Sequence, residues 1–382
     1  MKNVSKIIPC YAADTSGVCS ALYELGGLTV VHDASGCNST YSTHDEPRWY
    51  DVRSKIYISA LTELDAVMGN DEKMISDIVS AAKDQSPEFI ALCGSPMPMM
   101  TGFDYDSAAA EIEERSGIKT IPLHTNGMRS YIEGASESLE AVIKAFCRNT
   151  QKTEGLGVNV LGMTPLDFPL GTDTAIKKWI EECGFRFVSN LAMGSSFQSI
   201  KNASQANVNL VVSYSGMAAA RYMKKYLDIP YVVGVPFGKG YADRLREYIK
   251  NVAESREKTS SCFPEGRDNT NSDTVIIGES ISAVSMANSL LYDMGVNAKV
   301  ICTLPTEKEL LSDSDTELSA EEDIEAYLKN ASPSTVIADP LYKYILPKET
   351  TLIEIPHFAF SGRCFQKDMR VMINCDISEL FK

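Results

Sequence analysis

Three cysteines, Cys10, Cys37 and Cys93, stand where a thiol can do chemistry. A thiolate is a nucleophile and a soft metal ligand. Pro9 precedes Cys10, Ser35-Gly36 precede Cys37, and Gly94-Ser95-Pro96 follow Cys93, so each sits in a turn-prone setting. The last two come after LTVVHD and EFIALC, apolar runs of the kind that form buried parallel strands. Strand ends in open α/β sheets face the crevice where ligands bind. Three thiolates in such positions predict an iron–sulfur cluster. Their spacings, 27 and 56 residues, contain no Cys-x-x-Cys and match neither a zinc finger nor a compact ferredoxin run. Spacing alone leaves a second reading open, three buried core thiols. The turn glycines favour ligation, because they let backbone amides approach cluster sulfurs. Cys19, within a helix, is a further candidate. The remaining six read as mostly structural: Cys147, Cys183 and Cys302 as core residues, Cys262 in a linker, Cys375 with no separate role, and Cys364 ambiguous.

Other polar groups gather near these cysteines. His32 and Asp33 end the strand before Cys37, and His44, Asp45 and Glu46 follow it. In a reductase they could deliver protons; as ordinary loop residues they would do nothing chemical. His124 reads as a capping or supporting group beside the Asn126-Gly127 turn. His357, in IEIPHFAFSG, ends a strand and is a third catalytic candidate with His32 and His44. The Met97-Pro98-Met99-Met100 run reads as packing, and Trp49 as packing or an interface anchor. Nucleotide signatures are missing. No GxGxxG follows a strand, which argues against NAD, and Gly234 to Gly240 falls one residue short of a phosphate loop and lacks its hydroxyl residue. The segment reads as a loop, with no directly bound ATP. Neither GxSxG nor HExxH occurs.

The elements that must hold these residues alternate between strand and helix. A helix over 17–25 leads to LTVVHD; IYISAL, EFIALC and KTIPLH read as further strands; helices are expected over 71–85, 106–117 and 131–147. A second series runs from VNVLGM through NLVVSY to IPYVVGVPFG, and a third from TVIIGES through NAKVICTL and STVIAD to TLIEIP. Polar stretches at 148–157 and 254–273 separate them. The expected architecture is α/β, with three Rossmann-like lobes carrying parallel sheets around a central cleft. Their bounds are 1–155, with the cysteines, 156–265 and 266–382.

The chain has 382 residues, 44% of them hydrophobic and 23% charged, with ten cysteines and a net charge of −15. That charge argues against nucleic acid, and ten cysteines at this length are too few for a disulfide scaffold. No apolar run of membrane-spanning length occurs, and the N-terminus lacks the core of a signal peptide, so a cytoplasmic location is expected.

The order of several segments resembles the nitrogenase component 1 superfamily, which includes nitrogenase, the dark-operative protochlorophyllide reductases and the nickel-sirohydrochlorin cyclase. The segments are PCYAADTSGV, VVHDASGCNSTY, IALCGSPMPMMTGFD, the T-x-G-x-x-x-Y-x-x-G pattern of HTNGMRSYIEG, VNVLGM, NLAMGSSFQSIKNASQANVNLVVSY and IPYVVGVPFG. The resemblance implies that Cys10, Cys37 and Cys93 are the cluster ligands. The cluster would be 4Fe–4S or P-cluster-like and lie at the interface with a homologous subunit, in a homodimer or a heterodimer with a paralogue. It also implies an electron donor, an iron–sulfur ATPase resembling nitrogenase reductase. Where the nitrogenase α subunit has a cysteine for its molybdenum cofactor, this chain has Ser213, a far poorer iron ligand. His357 falls near the position of the nitrogenase histidine ligand, one residue closer to the following Ser-Gly. The chain is also much shorter. The resemblance therefore implies reduction of something other than dinitrogen: a tetrapyrrole, a small molecule or another metallocluster. A non-catalytic scaffold or carrier for metallocluster assembly is the competing reading, and a degenerate paralogue that only completes a heterodimer is a third.

Overall fold

The computed structural model describes residues 5–8, 10, 12–34, 36, 45–53, 55–148, 154–255, 260–261 and 272–381. Cys37, His44 and Cys262 lie outside the described residues. The first lobe contains α1 (Asp14–Leu22), β1 (Leu28–His32), β2 (Lys55–Ile58), α2 (Glu63–Met68), α3 (Asp71–Gln85), β3 (Ile90–Gly94), α4 (Pro96–Thr101), α5 (Tyr105–Ser116), β4 (Thr120–Leu123) and α6 (Tyr131–Phe146). Its strands pair in parallel in the order β2-β1-β3-β4. In β3 the alternation of side chains sends Ala91 and Cys93 to one face and Ile90 and Leu92 to the other. Both faces are covered, which is why EFIALC is apolar without a break.

The second lobe comprises β5 (Gly157–Met163), α7 (Thr172–Glu182), β6 (Arg186–Ala192), α8 (Phe197–Asn202), β7 (Val208–Val211), α9 (Met217–Leu227), β8 (Tyr231–Val233), α10 (Lys239–Ser255) and β9 (Ser260–Ser261), in the order β6-β5-β7-β8-β9. The third has β10 (Thr274–Gly278), α11 (Ser280–Met294), β11 (Lys299–Cys302), β12 (Thr316–Glu317), α12 (Glu321–Ala331), β13 (Thr335–Ala338), β14 (Thr351–Glu354) and α13 (Phe358–Ser361), in the order β12-β11-β10-β13-β14. All three sheets are parallel, and each has a point where chain order reverses: between β1 and β3, β5 and β7, and β10 and β13. Loops leaving such neighbours part to opposite sides and leave a crevice at the carboxyl ends of the strands.

Local sequence reading and structure differ in several places. The first helix begins at Asp14, three residues before the expected start. The expected strand IYISAL stops at Ile58, and a capping box between Thr62 and Asp65 starts α2. The turn expected at Gly94-Ser95-Pro96 leads straight into α4, with Pro96 at its first position, where no amide donor is needed. The loop expected at Gly234–Gly240 leads directly into α10. Its Lys239 and Gly240 amides, the kind that cradle a phosphate, donate instead to Asp293 at 3.0 and 2.7 Å.

The packing of α1 on α6 fixes the geometry of the first lobe. A Cβ at Gly17 would lie 1.9 Å from the Tyr131 carbonyl oxygen, and one at Gly134 would lie 1.9 Å from that of Asp14. The two backbones touch because both helices carry glycine at the crossing. One contiguous core joins Val31 and Leu139 of the first lobe to Val160 of the second and Ile276 of the third. A second cluster ties Ile8, Ala12 and Tyr131 to Ile301, Val336 and Tyr342 of the third lobe.

Candidate active site between the second and third lobes

The crevices of the second and third lobes face one another. Asp167 follows β5, Ser213 follows β7, Glu279 follows β10 and Asp339 follows β13. All four are buried. Together with Phe168, Phe237, Met286, Tyr342 and His357, the three acids line a largely apolar cavity of about 100 Å³. Met369, Arg370, Met372 and Leu380 form part of its wall, and the bridge between Phe237 and Ile373 holds that C-terminal stretch against the second lobe.

Asp167 is the hub. Its Oδ1 accepts from the Tyr131 hydroxyl at 2.5 Å, and its Oδ2 from the hydroxyls of Ser213 at 2.9 Å and Thr164 at 3.0 Å. His357 Nε2 stands 3.4 Å from Oδ1, and neither ring nitrogen makes a hydrogen bond within the described residues. Burial first, and then the Asp167 charge, raise the Tyr131 phenol well above its ordinary range. Glu279 lies across the cavity at the start of α11. Burial and the Asp167 charge push its carboxyl upward, while the amides of Ser282, Ile281 and Tyr214 pull the other way. Asp339 accepts from the amides of Leu341 and His357 and from the Ser361 hydroxyl, which anchors α13 and sets the position of His357. Acids and an imidazole that line an apolar hollow can pass protons to a bound molecule, and the Tyr131 phenol joins them through Asp167.

The T-x-G-x-x-x-Y-x-x-G pattern supplies the phenol, and each of its residues has a task. Thr125 exchanges hydrogen bonds with Gly94 at the end of β3. Gly127, at φ +70°, donates its amide to Asp14 at 2.7 Å. Ser130 caps α6 in a box with Glu133. Gly134 admits α1, and Tyr131 then emerges at the first turn of α6, within reach of Asp167 in the next lobe.

Of the two catalytic candidates among the described residues, His32 and His357, His357 lines the cavity and His32 does not. His32 bonds Ser59 at 2.8 Å, stacks near Phe103 in the first lobe, and is pushed down to about 4 by burial. Cys10 belongs to the cluster shared with the third lobe, donates to the Ala12 carbonyl at 3.7 Å, and is pushed up to about 12 by burial. Glu321 Oε2 places it, by accepting the amides of Lys6, Ile7 and Ile8 at 2.8–2.9 Å. Cys93 is fully enclosed in the other core, near Cys19, and its thiol donates to the Val30 carbonyl at 3.5 Å. Burial first, and then the neighbouring Cys19, raise that thiol well above its ordinary range. Two residues on, the Ser95 hydroxyl bonds Asp33 at 2.7 Å. No three His, Cys, Asp or Glu side chains form a metal site among the described residues. Cys10 stands at a lobe boundary, whereas the Cys93 thiol is turned into the core.

Asp167, Glu279 and Tyr131 were not singled out from the sequence. A signal was there: polar residues one to four positions after an apolar strand run, as in VNVLGMTPLD and TVIIGE.

A family model described as nitrogenase component 1 type oxidoreductase matches residues 25–362. The chain is 24% identical over 357 residues to the nitrogenase iron-molybdenum cofactor biosynthesis protein NifE of Clostridium pasteurianum, covering 86% of this chain and 74% of that protein. It is 28% identical over 186 residues to the nitrogenase molybdenum-iron protein alpha chain of Methanosarcina barkeri, covering 47% and 33%. It is 24% identical over 266 residues to one subunit of the light-independent protochlorophyllide reductase of Stigeoclonium helveticum, covering 61% and 52%. The matches to these last two thus span about half of each relative's length or less. The solved structure titled "Nitrogenase Cp1 at pH 6.5" superposes with a TM-score of 0.71 at 15% identity, over 100% of this chain and 93% of that one, which shows a shared fold. A match that runs through all three parallel sheets and the crevices between them leads to one conclusion: the chain belongs to the nitrogenase component 1 type oxidoreductase family.

Proposed function

We propose that this chain is one subunit of a nitrogenase-like reductase that reduces a substrate other than dinitrogen in the cavity between its second and third lobes. The observation that carries the reading is Asp167, buried at a strand end, where it gathers Tyr131 from the first lobe, Ser213 from its own and His357 from the third. A reduction consumes protons as well as electrons. The Tyr131 hydroxyl donates to Asp167 Oδ1 at 2.5 Å, and Glu279, whose carboxyl burial pushes upward, lines the same hollow as Asp167. His357 orients or protonates the substrate through a ring nitrogen that no group among the described residues occupies. The largely apolar wall offers few competing polar partners, which strengthens each of these interactions.

Iron–sulfur chemistry would supply the electrons. Cys10 and Cys37 are the residues proposed to hold the cluster, shared with a homologous subunit, and a nitrogenase-reductase-like ATPase is the proposed donor. Cys93 stays with them only as an expectation of the resemblance, because its thiol is enclosed with Cys19. A partner subunit is supported by the surface of the first lobe. There α2, which has no buried residue, exposes Leu64, Val67 and Met68, and α4 beside it exposes Met97, Met99 and Met100.

The experiment is reductant oxidation by anaerobically purified protein with its reductase partner, with and without candidate substrates. Tyr131→Phe should lower kcat about 10²-fold with iron content unchanged. Full turnover in both Tyr131→Phe and Asp167→Asn would remove the cavity from the mechanism. The scaffold reading is favoured by one observation, the match to a cofactor biosynthesis protein over 86% of the chain. It predicts cluster transfer without substrate-dependent oxidation.

A further inference from the structure

We propose that this cavity takes a small ligand with an apolar body and a cationic, N–H-donating head, and turns polyanions away. The inference rests on the cavity being the substrate site and names the class of molecule that it admits. Three carboxylates, Asp167, Glu279 and Asp339, are buried in its inner wall and come from two lobes. Hydroxyls and backbone amides supply their hydrogen bonds, and among the described residues that contact them His357 alone brings a group that can carry positive charge, 3.4 Å from Asp167. Among the described residues lining the cavity, the single arginine or lysine is Arg370, exposed at the rim beside the equally exposed Glu354 and Asp368.

Three carboxylates faced by one imidazole, set in apolar walls, focus a negative potential into the hollow. An anion entering it loses its hydration and meets like charge. A cation entering it finds acceptors, and its presence relieves the repulsion between Asp167 and Glu279 that raises the Glu279 carboxyl. A planar amidinium or guanidinium fork suits a carboxylate best, because two parallel N–H groups meet its two oxygens. The apolar wall asks for a hydrophobic body, and about 100 Å³ is on the scale of a single ring. A tetrapyrrole bearing several carboxylates matches neither the charge nor the size.

The test uses three probes of one shape: benzamidinium, benzamide and benzoate, titrated calorimetrically into the full-length protein purified without oxygen. The expected order is benzamidinium, benzamide, benzoate, with at least a tenfold gap in Kd between the first and last. Asp167→Asn and, separately, Glu279→Gln should each narrow that gap to less than threefold and leave benzamide within about twofold. Benzoate binding as tightly as benzamidinium overturns the charge assignment and leaves the cavity standing as a ligand site. A gap that persists unchanged in both variants places the binding elsewhere and overturns the proposal. Binding by none of the three, benzamide included, removes both the proposal and the reading beneath it.

Discussion

Cys93 and Cys10 were expected to do the same work, and their surroundings differ. Cys93 fills a core position against Cys19, while Cys10 stands where the N-terminal segment crosses to the third lobe. Single replacements should separate them. Cys37→Ala and Cys10→Ala should each remove most of the iron and the visible absorption of anaerobically purified protein. Cys93→Ala should leave both and lower stability by about 1 kcal/mol, the cost of one small buried group. Iron lost from Cys93→Ala would mean that its thiol turns outward when a cluster is bound. His32 offers a second residue-level test, through pH. An unfolded imidazole takes up its proton near its ordinary 6.5, whereas the folded one waits until about 4. Between those values the unfolded chain holds more protons, so this residue's contribution to stability falls as the pH is lowered from 7 towards 4, by up to ~3 kcal/mol. Urea midpoints across that range should fall less steeply in His32→Gln. Equal slopes would show that His32 is protonated in the folded chain.

At the scale of elements, the site depends on two short attachments. The first is the glycine crossing of α1 and α6, which sets where Tyr131 emerges. Gly134→Ala would drive a Cβ to 1.9 Å from the Asp14 carbonyl oxygen, so the helices must part. The expected loss is about 2–3 kcal/mol, read by chemical denaturation, with turnover falling further than in a variant of equal stability that spares α6. The second is the strap that Glu321 holds through three successive amides. Glu321→Gln weakens charge-assisted bonds and should speed alkylation of Cys10 severalfold while Cys93 stays unreactive. An unchanged Cys10 rate would show that the strap is held by its apolar contacts, such as those of Ile8.

At the scale of the molecule, the three lobes are bound through a shared core and a few polar contacts that cross the cleft. One is the set of Tyr214, Arg221 and Glu307. Tyr214 Oη donates to Glu307 at 2.9 Å, Arg221 forms a two-pronged pair with the same carboxylate, and the Tyr214 amide meets Glu279 at 3.1 Å. The contact that steadies the cleft is thereby joined to one of its acids. The apolar surface of α2 and α4 predicts association. Val67 and Met100 are 78% and 81% exposed, so a charge at either should cost little in a monomer. In solution a dimer is expected, measured by light scattering, and Val67→Lys with Met100→Lys should convert it to monomer without a change in circular dichroism. A dimer unaffected by both would put the interface elsewhere.

Much of this was legible in the sequence because it is local. Apolar runs bounded by glycine and proline give the strands, and helical periodicity gives α3, α5 and α6. The alternation of the two gives a parallel α/β architecture, since crossover helices leave few other arrangements. Short helices were missed where a cap outweighs composition, as Thr62 does for α2 and Pro96 for α4. The site itself was beyond local reading. Asp167, Glu279 and His357 are separated by 112 and 78 residues, and each has an ordinary neighbourhood in the chain. They meet because two sheets turn their chain-order reversals towards one another, which no periodicity records. The cysteines show the converse. Sequence made them conspicuous by their turns, but the direction of a side chain at a strand end depends on which face the sheet buries, and there tertiary packing placed Cys93 inside.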